Sequence, residues 1–589
     1  MTISNQIPFP EEKIPVSAPV KLTDALANIL KANGIAHVFG LQGGAVVHIF
    51  DSLENQGVSV TYMHHEESAA LAAVAYSKVT ENMGCAVVTT GPGSTNAITG
   101  LLAAWQDSIP CIFISGQVRS EHTSYGRKVR QTGTQEVNIC DIVRPICKYC
   151  SFIKTKEDFI PEFIRAIEIA KTGRPGPVWL DLPLDHQWSE IEFNKATIPD
   201  WKKPIAEIKD FSVFQDSLEL LNKAKRPLLI LGNGVRLAGR SKHLDDFIEQ
   251  HNLPFVTTWT ASDLFATDNP LNLGIIGMSG QRGANRAVFS ADLLLCLGTH
   301  LSIPHTTTLF DSYAPQAKKI IVNIDADQLD NLNVKFDIKI NEDVNAYLEW
   351  MNRQKINRFS WPDIEEFKNQ NWYLPEKTQL PNSNVYVRSL TGQAPDGTCL
   401  IVDGGGTALY SGFQSSIMKK SGRIICSSAI SSMGTGLAET VGVSKCSDFS
   451  KFLCIIGDGS FLMNVQDLQT IRQNNIDVVI SVISNNGYLA IRHTQKQFLN
   501  GRFFGTHPQW NLAMPSIEKI AYAFDIPYVR LDSAEALDDV TKNLLVTKGP
   551  VICEVVVDES QEVLFRQAYK ANEDGTFTPQ PLSEMLPLM

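Results

Sequence analysis

Short runs of β-branched and aliphatic residues alternate with longer helical patterns along this 589-residue chain. Such alternation is typical of parallel α/β units, in which a helix connects one strand to the next. It falls into three blocks of about 150 residues, the usual size of one domain. The sequence therefore predicts an α/β fold with three doubly wound parallel-sheet domains. The predicted segments are a lead-in over 1–20, a first domain over 21–185, a central domain over 206–350, a third domain over 385–560 and a tail over 561–589.

The strands are predicted from apolar runs bounded by turn residues. In the first block they are HVFGL, VSVTYM, CAVVTT, CIFISG and VWLDLP. In the second block they are PLLILG, PFVTT, LLLCLG and KIIVNI. In the third block they are CLIVDGG, RIICSS, FLCIIG, VVISVIS, YVRL and VICEVVV.

Charge and cysteine usage narrow the class of protein. A net charge of −11 and an isoelectric point near 5.6 argue against nonspecific nucleic-acid binding, which requires a basic surface. No run of about 18 apolar residues is present, so a membrane span is not expected. The Pro-rich lead-in does not have the pattern of a signal peptide. Many of the eleven cysteines lie in apolar runs, as in a reducing compartment, and we expect a cytoplasmic protein.

The stretch GDGSFLMNVQDLQTIRQNNIDVVISVISNN places Asp458 after the apolar run KFLCIIG and Asn485 after the run DVVISVIS. The intervening FLMNVQDLQTIRQNN has helical length and periodicity, so we predict a βαβ unit with parallel strands. Asp458 and Asn485 are then expected side by side at the carboxyl edge of the sheet, where ligands bind.

Two interpretations of this edge are open. Carboxylate, amide and carbonyl oxygens suit Mg²⁺, and Gly459 and Ser460 begin a helix whose free backbone N–H groups favour an anion. The stretch would then bind a magnesium-bound diphosphate. Alternatively, GDG is a common turn sequence, and paired asparagines often cap helices or strands. A dinucleotide fingerprint is absent, because Leu462 occupies the third glycine position of G-x-G-x-x-G.

The combined motifs resemble those of thiamine-diphosphate-dependent enzymes, in particular the large subunits of acetolactate (acetohydroxyacid) synthases. GDGS and NNGY are similar to the family's cofactor motif, and YMHHEESAALAAVAYSK is similar to the stretch with its catalytic glutamate. The similarity continues, in family order, through VTTGPGSTNAITGLLAAWQDSIPCIFISGQV, RQTGTQEVNICDIVRPICKY, TGRPGPVWLDLP, SMGTGLAETVG and PLSEMLPLM. The resemblance implies a pyrimidine-binding first domain, a central domain and a diphosphate-binding third domain.

The resemblance also implies residues that bind thiamine diphosphate and Mg²⁺. Asp458, the side chain of Asn485 and the carbonyl of Gly487 would hold Mg²⁺, which anchors the diphosphate. Glu66 would hydrogen-bond N1′ of the aminopyrimidine and favour the imino form that removes the C2 proton, and burial would help to keep this carboxyl neutral. The further cofactor contacts are Gly405, Gly406, Thr407, Ser431, Met433, Gly457, Gly459, Ser460, Tyr488 and Leu489.

Met433, Ser431 and Thr407 have specific implied roles, and alternatives are open for Met433 and Glu66. Met433 would be the apolar wedge that bends the cofactor, and the carbonyl of Ser431 would accept from its 4′-amino group. The turn DGGGTA would let the backbone and Thr407 reach the diphosphate. Alternatively, Met433 is a core-filling side chain, and Glu66 is an ordinary acidic residue in the first turn of a helix.

The implied reaction is carboligation. The enzyme would decarboxylate a 2-oxo acid such as pyruvate and transfer the acyl carbanion equivalent to an acceptor carbonyl. The resemblance places Gln117, Gln135 and Lys148 near the substrate, although a solvated lysine is an equal alternative for the last. Simple decarboxylases have a glutamate where this chain has Ile491. The enamine that remains after CO₂ leaves the 2-oxo acid would therefore have no obvious proton donor here.

Other functions are open. The segment LAIRHTQ differs from the GMVRQWQ-like segment of acetolactate synthases, with Thr494 near the place of the tryptophan. This departure fits acetyl transfer from pyruvate to a keto-sugar, as in branched-sugar synthesis. A plain 2-oxo acid decarboxylase and a noncatalytic cofactor-binding subunit are further alternatives.

The predictions about FAD and about the oligomeric state rest on the resemblance alone. GMSGQRGAN is similar to one FAD segment of the family, but GTHLSIP has His300 where the other FAD segment has arginine, so FAD is an open possibility. Because Glu66 and Asp458 lie on different domains, the resemblance implies a homodimer or homotetramer with active sites between subunits. The expected partners are small molecules, with neither nucleic acid nor membrane.

Overall fold

The computed structural model describes residues 18–195, 198, 211–239, 242–427, 429–573 and 576–587. They form three domains, each with a six-stranded parallel sheet flanked by helices, which confirms the predicted α/β class. Most of the predicted lead-in, residues 1–17, and the predicted start of the central domain at 206 lie outside the described residues. None of the helices in the described part of the chain is long and apolar enough to cross a membrane.

The strands of the first domain are β1 (Ala18–Lys21), β2 (His37–Gly40), β3 (Ser59–Tyr62), β4 (Gly84–Val88), β5 (Cys111–Gln117), β6 (Tyr149–Phe152), β7 (Val178–Pro183) and β8 (Glu190–Phe193). Its helices are α1 (Leu22–Ala32), α2 (Val47–Asn55), α3 (Glu66–Thr80), α4 (Pro92–Asn96), α5 (Ile98–Asp107), α6 (Ile139–Val143), α7 (Phe159–Lys171) and α8 (Leu184–Gln187). The sheet order is β3-β2-β4-β5-β7-β6, and β1 and β8 form a separate antiparallel pair. The edge strand β6 is not among the predicted strands, because none of its residues is fully buried and no apolar run marks it.

The strands of the central domain are β9 (Pro227–Leu231), β10 (Phe255–Thr257), β11 (Asn272–Ile275), β12 (Leu293–Leu297), β13 (Lys318–Val322) and β14 (Ile338–Ile340). Its helices are α9 (Ser212–Lys223), α10 (Gly234–Leu237), α11 (Lys242–His251), α12 (Arg282–Ser290), α13 (Ile303–Thr306), α14 (Ala326–Asp330), α15 (Val344–Met351) and α16 (Ile364–Asn369). The sheet order is β11-β10-β9-β12-β13-β14, so the chain direction across the sheet reverses between β9 and β12. The short edge strands β11 and β14 are the two that the sequence does not predict.

The strands of the third domain are β15 (Thr398–Val402), β16 (Arg423–Ile425), β17 (Lys451–Gly457), β18 (Val478–Ser484), β19 (Tyr528–Leu531) and β20 (Val551–Val556). Its helices are α17 (Ser383–Gln393), α18 (Gly406–Ser415), α19 (Thr435–Val443), α20 (Asp458–Phe461), α21 (Asp467–Gln473), α22 (Leu489–Phe498), α23 (Ile517–Ala523) and α24 (Leu537–Val546). The sheet order is β16-β15-β17-β18-β20-β19, and all six strands are predicted by the sequence. The tail adds a hairpin of β21 (Tyr569–Ala571) and β22 (Phe577–Pro579).

The single helix predicted between β17 and β18 is interrupted. Turns separate the end of α20 from the start of α21. Within them, Asn464 Nδ2 donates to the carbonyl of Gly434 at 3.0 Å, and Asn464 Oδ1 accepts from Ser68 Oγ at 3.4 Å. Asparagine is disfavoured in helix interiors, and these two contacts hold its side chain against groups outside the segment. Tertiary contacts with the first domain and with the loop before α19 therefore account for the break.

Helices α3 and α19 join the first domain to the third. They pack so closely that a Cβ at Gly442 would lie 2.2 Å from the carbonyl oxygen of Ala72. One cluster of buried apolar side chains extends across both domains. The helix that begins at Glu66 is therefore fixed against the helix that follows Met433.

Buried Asp263 attaches the central domain to the other two. It accepts hydrogen bonds from Arg236 and, at 2.9 Å, from Arg423 Nε. Arg423 also donates to the carbonyl of Lys78 near the end of α3, at 2.7 Å. Burial alone would raise the pKa of Asp263, but the two guanidinium groups hold it below its ordinary value. The three domains thus meet around one shared carboxylate.

Candidate active site

The carboxyl ends of β17 and β18 lie side by side at one edge of the third sheet. Asp458 Oδ2 accepts hydrogen bonds from the backbone N–H groups of Asn485 at 3.1 Å and Gly487 at 3.0 Å. Its Oδ1 accepts from the N–H of Gly459 at 2.8 Å. The predicted adjacency of Asp458 and Asn485 is confirmed, and the carboxylate orients the loop that follows β18.

The buried side chain of Asn485 has one unsatisfied atom. Its Nδ2 donates to Thr407 Oγ1 at 3.2 Å, whereas Oδ1 has no hydrogen-bond partner. Leaving a buried polar atom unpaired costs about 1–3 kcal/mol, so this oxygen points to a bound group. Burial raises the pKa of Asp458 to about 6, although backbone N–H groups oppose the shift, and a nearby cation would favour the ionised carboxylate. These oxygens fit a hard divalent cation such as Mg²⁺.

Arg492, which is not among the predicted site residues, fixes the loop after β18. Its guanidinium donates to the carbonyls of Asn485 at 2.7 Å, Asn486 at 3.1 Å and Thr506 at 2.9 Å. Gly487 has a φ of +124°, and a Cβ there would lie 2.7 Å from the Thr506 carbonyl oxygen. Only glycine fits this conformation and close approach. No local signal identifies Arg492, because its role depends on where the chain returns at Thr506.

The glycine-rich turn after β15 lies against the start of α20. A Cβ at Gly405 would lie 2.4 Å from Ser460 Oγ, and one at Gly406 would lie 2.3 Å from Ala490 Cβ. Asp403 orders this turn by accepting from the N–H of Gly405 at 2.8 Å. The arrangement presents bare backbone beside the Asn485 side chain, as a diphosphate site requires.

The loop that carries Ser431 and Met433 packs on the same turn. A Cβ at Gly404 would lie 2.7 Å from the carbonyl oxygen of Ser431, whose φ is +48°. Asp403 joins the two segments by accepting from the N–H of Gly436 at 3.1 Å, and burial raises its pKa. Met433 is half-buried. Asp403 is thus a further organising residue that the sequence prediction lacks, although its place directly before three glycines is a usable signal.

The remaining predicted residues of the third domain lie at this edge too. The ring of Tyr488 packs on the backbone of Gly459, where a Cβ would lie 2.3 Å from the ring. Gly457 ends β17, and buried Leu489 begins α22. The structure therefore brings the third-domain residues predicted for cofactor and metal together.

In the first domain, Glu66 begins α3 and is 8 % exposed. Its Oε2 accepts a hydrogen bond from Asn96 Nδ2 at 3.1 Å, and a Cβ at Gly93 would lie 3.4 Å from Oε1. Asn96 is not among the predicted site residues, although it lies in the quoted motif GPGSTN. For the neighbouring Glu67, burial raises the pKa and His65 partly offsets this effect.

Gln117 ends β5 and has no free hydrogen-bonding position. Its Nε2 donates to the carbonyl of Val137 at 2.9 Å and to Asp181 Oδ2 at 3.0 Å. Its Oε1 accepts from Thr90 Oγ1 and from the N–H of Val118, both at 2.9 Å. An amide side chain has two donor hydrogens and one carbonyl oxygen, so these contacts use its capacity. Burial raises the pKa of Asp181 to about 7, against the donors that lower it.

Gln135 and Lys148 have different surroundings in the first domain. Gln135 is exposed, and its carbonyl oxygen would lie 2.3 Å from a Cβ at Gly91. Lys148 Nζ donates to the carbonyl of Thr172 at 2.6 Å, and burial lowers its pKa to about 8. Lys148 precedes β6, whereas Gln117 ends β5, which puts them about 20 Å apart along the strand direction at about 3.3 Å per residue. The structure does not bring Lys148 to Gln117 within one chain.

A cavity of about 850 Å³ lies between the first and central domains, and Lys148 lines it. It opens where β9 and β12 end, the switch point of the central sheet, and a Cβ at Gly232 would lie 2.3 Å from the Gly298 carbonyl oxygen. Arg174 lines the cavity and donates to Asp325 Oδ2 at 3.0 Å. His300 lines it as well, and burial lowers the pKa of this imidazole.

Each of the three domains matches a known protein family. Residues 20–142 match the family described as "Thiamine pyrophosphate enzyme, N-terminal TPP binding domain". Residues 214–351 match "Thiamine pyrophosphate enzyme, central domain", and residues 404–555 match "Thiamine pyrophosphate enzyme, C-terminal TPP binding domain".

Three similar proteins are acetolactate synthases by name. The chain is 30% identical over 571 residues to acetolactate synthase 1, chloroplastic, of Zea mays, covering 93% of this chain and 87% of that protein. It is 28% identical over 548 residues to the acetolactate synthase isozyme 2 large subunit of Escherichia coli, covering 91% and 96%. It is 29% identical over 569 residues to the probable acetolactate synthase large subunit of Methanocaldococcus jannaschii, covering 92% and 93%.

Proposed function

Because the chain belongs to the thiamine pyrophosphate enzymes and is acetolactate synthase-like, we propose that it is a carboligase that decarboxylates pyruvate and transfers the acetyl carbanion equivalent to an acceptor carbonyl. One observation carries the proposal. The Asp458 carboxylate, the unpartnered Asn485 Oδ1 and the bare backbone at Gly405 meet at one edge of the third sheet. Such oxygens and backbone suit Mg²⁺ and a diphosphate.

The two halves of the site have separate tasks in this proposal. Asp458, Asn485 Oδ1 and the carbonyl of Gly487 hold Mg²⁺, and the turn at Gly405 binds the diphosphate. Thiamine diphosphate, when bound, supplies a carbon nucleophile and an electron sink for decarboxylation of a 2-oxo acid. Glu66 holds the proton at N1′ of the aminopyrimidine ring.

Helix α22 supports carboligation rather than simple decarboxylation. Ile491 is 51% exposed, Phe498 is 53% exposed, and Thr494 is exposed between them at helical spacing. None of these three side chains is acidic enough to protonate a carbanion equivalent. This face therefore offers no proton donor for simple decarboxylation, and Thr494, near the place of the family's tryptophan, makes a keto-sugar the second candidate acceptor beside a second 2-oxo acid.

The test is CO₂ release from pyruvate by the purified protein, with the products identified by mass spectrometry. We expect release that requires thiamine diphosphate and Mg²⁺ and yields acetolactate from pyruvate alone. Release that stays slow until a keto-sugar is added would assign the second acceptor instead. Acetaldehyde as the sole product would mean a plain decarboxylase. No release by protein that binds the cofactor would mean a noncatalytic subunit, and both of these outcomes would contradict carboligation.

We also propose that FAD binds in the cavity between the first and central domains. Its volume of about 850 Å³ suits a large cofactor, and it lies at the switch point of a parallel sheet. Arg174 supplies a cation that can pair with a pyrophosphate. His300 is uncharged at neutral pH because burial lowers its pKa. The cavity therefore has less positive charge than it would have with an arginine at position 300.

The flavin content of the purified protein checks this proposal. We expect flavin absorbance and the release of FAD on denaturation. We expect Arg174→Ala to raise the dissociation constant of FAD by about tenfold or more, since a charge-assisted hydrogen bond contributes about 1.5–3 kcal/mol. Arg165→Ala is a matched control, because Arg165 is exposed in the same domain and stacks on Tyr149. Colourless protein that takes up no added FAD would overturn the proposal.

We place each complete site between two copies of the chain. The resemblance to acetolactate synthases implies this arrangement, and large apolar side chains are exposed beside both halves of the site. Tyr62, four residues before Glu66, is 43% exposed, and Met463, five residues after Asp458, is 44% exposed. A homodimer, or a homotetramer built from such dimers, would cover these side chains and bring Glu66 of one copy to the metal site of the other.

A further inference from the structure

We propose that Asn96 is a positioning residue for Glu66, whose Oε2 it holds so that Oε1 is the oxygen that carries the proton shared with the cofactor. This inference rests on the proposed function, because that proton is the one at N1′ of thiamine diphosphate. It goes beyond that function by naming the group that selects between the two carboxyl oxygens.

The hydrogen bond between the two side chains carries the inference. Asn96 Nδ2 donates to Glu66 Oε2 at 3.1 Å, a normal length for an N–H···O bond. An ionised oxygen is the stronger acceptor, so an amide donor at Oε2 directs protonation to Oε1. A side chain at Gly93 would begin 3.4 Å from Oε1, so glycine there leaves that side of the oxygen open.

The segment that carries Asn96 is itself anchored to the sheet. Thr90, just before the turn, donates through Oγ1 to Gln117 Oε1 at 2.9 Å. Gln117 Nε2 in turn donates to Oδ2 of fully buried Asp181 at 3.0 Å. Gly91 has a φ of +64°, which turns the chain into α4, and Asn96 is the last residue of that helix. Gln117 therefore supports the segment that carries Asn96, and its hydrogen-bonding positions are all occupied within the chain.

The decisive variant is Asn96→Asp, which keeps the size of the side chain and replaces its donor with an acceptor. We expect it to bind thiamine diphosphate and pyruvate nearly as well as the wild type, so that KM changes little. We expect kcat for CO₂ release to fall about tenfold to a hundredfold, as for the loss of a hydrogen bond to a charged group. The near-ultraviolet circular-dichroism band of the bound aminopyrimidine in its imino form should weaken in parallel. Asn96→Gln, which retains an amide donor, should recover part of both signals.

Asn55→Ala is the matched control. Asn55 lies in the same domain, and its Nδ2 donates to Asp51 Oδ1 at 3.0 Å on the exposed side of α2. It should leave kcat and the imino band unchanged. Asn96 is exposed, so its replacement leaves no cavity in the core. If Asn96→Asp nevertheless unfolds, Asn96→Ser, which also removes the amide donor, decides the question.

Two outcomes separate the inference from the proposed function. A wild-type imino band and wild-type kcat in Asn96→Asp, or in Asn96→Ser if Asn96→Asp unfolds, would overturn the role of Asn96 and leave the function intact. A wild-type protein with neither an imino band nor cofactor-dependent CO₂ release would overturn the proposed function itself.

Discussion

Replacing Glu66 with glutamine is expected to lower pyruvate-dependent CO₂ release by about 10²–10⁴-fold, the contribution of a positioned acid–base group. Glutamine has nearly the same size and can still meet Asn96, but it cannot exchange a proton with the aminopyrimidine. Because the two side chains are nearly isosteric, the substitution should not create a cavity even though Glu66 is only 8 % exposed at the start of α3. The measurement is the initial rate at saturating thiamine diphosphate, Mg²⁺ and pyruvate.

Glu67→Gln is the matched control for this prediction. Glu67 follows Glu66 in the same helical turn, and burial raises its pKa, so neutralising it should not destabilise the helix strongly. We expect a rate and a melting temperature close to those of the wild type. Equal losses in both variants would show that any change at this helix start is harmful, and full activity in Glu66→Gln would exclude the proposed role.

Replacing Asn485 with alanine is expected to weaken magnesium-dependent binding of thiamine diphosphate by about 100-fold or more, since even residues that only support metal ligands contribute about 10–100-fold to affinity. The substitution removes the unpartnered Oδ1 beside Asp458 and the 3.2 Å hydrogen bond from Nδ2 to Thr407. The measurement is the dissociation constant of thiamine diphosphate, from tryptophan fluorescence at a fixed Mg²⁺ concentration.

The adjacent Asn486 provides the control for Asn485. Its Nδ2 donates to Glu559 Oε1 at 3.1 Å in an exposed contact, and no metal role is proposed for it. Asn486→Ala should therefore bind the cofactor like the wild type. Tight cofactor binding in Asn485→Ala, or an equal loss in both variants, would contradict the proposed metal site.

Mixing the two impaired variants tests whether the site is shared between subunits. A dimer of one Glu66→Gln chain and one Asn485→Ala chain contains one site in which both residues are wild type, provided that each site combines residues of two chains. We expect CO₂ release to reappear after the variants are mixed under conditions that allow subunit exchange. If each site lies within one chain, every site remains defective, and mixing restores nothing.

Much of the fold and the adjacency of Asp458 and Asn485 were predictable because they depend on local periodicity. All six strands of the third sheet follow from buried apolar runs, and the parallel βαβ rule places Asp458 beside Asn485 without further information. Within the three six-stranded sheets, the strands that the sequence does not predict are β6, β11 and β14. All three are short edge strands, and none of them is a continuous apolar run.

Other features depend on contacts between distant segments, which periodicity does not encode. The helix between β17 and β18 breaks because Asn464 bonds to Gly434 and to Ser68 of another domain. Lys148 resembles a substrate-site residue by its motif, yet it lies at the opposite end of the first sheet from Gln117 and lines the cavity between the first and central domains.

Residue pattern alone establishes the α/β class, the three-domain order and the sheet edge at which Asp458 and Asn485 lie, because strand alternation and crossover handedness are local properties. The hydrogen bonds that support the site form only once the chain is folded. They join Asn96 to Glu66, Arg492 to the loop after β18, and Asp403 to the glycine-rich turn. The physical reason is that a hydrogen bond depends on distance and direction to within a fraction of an ångström. Packing of whole domains sets those quantities, and sequence spacing does not.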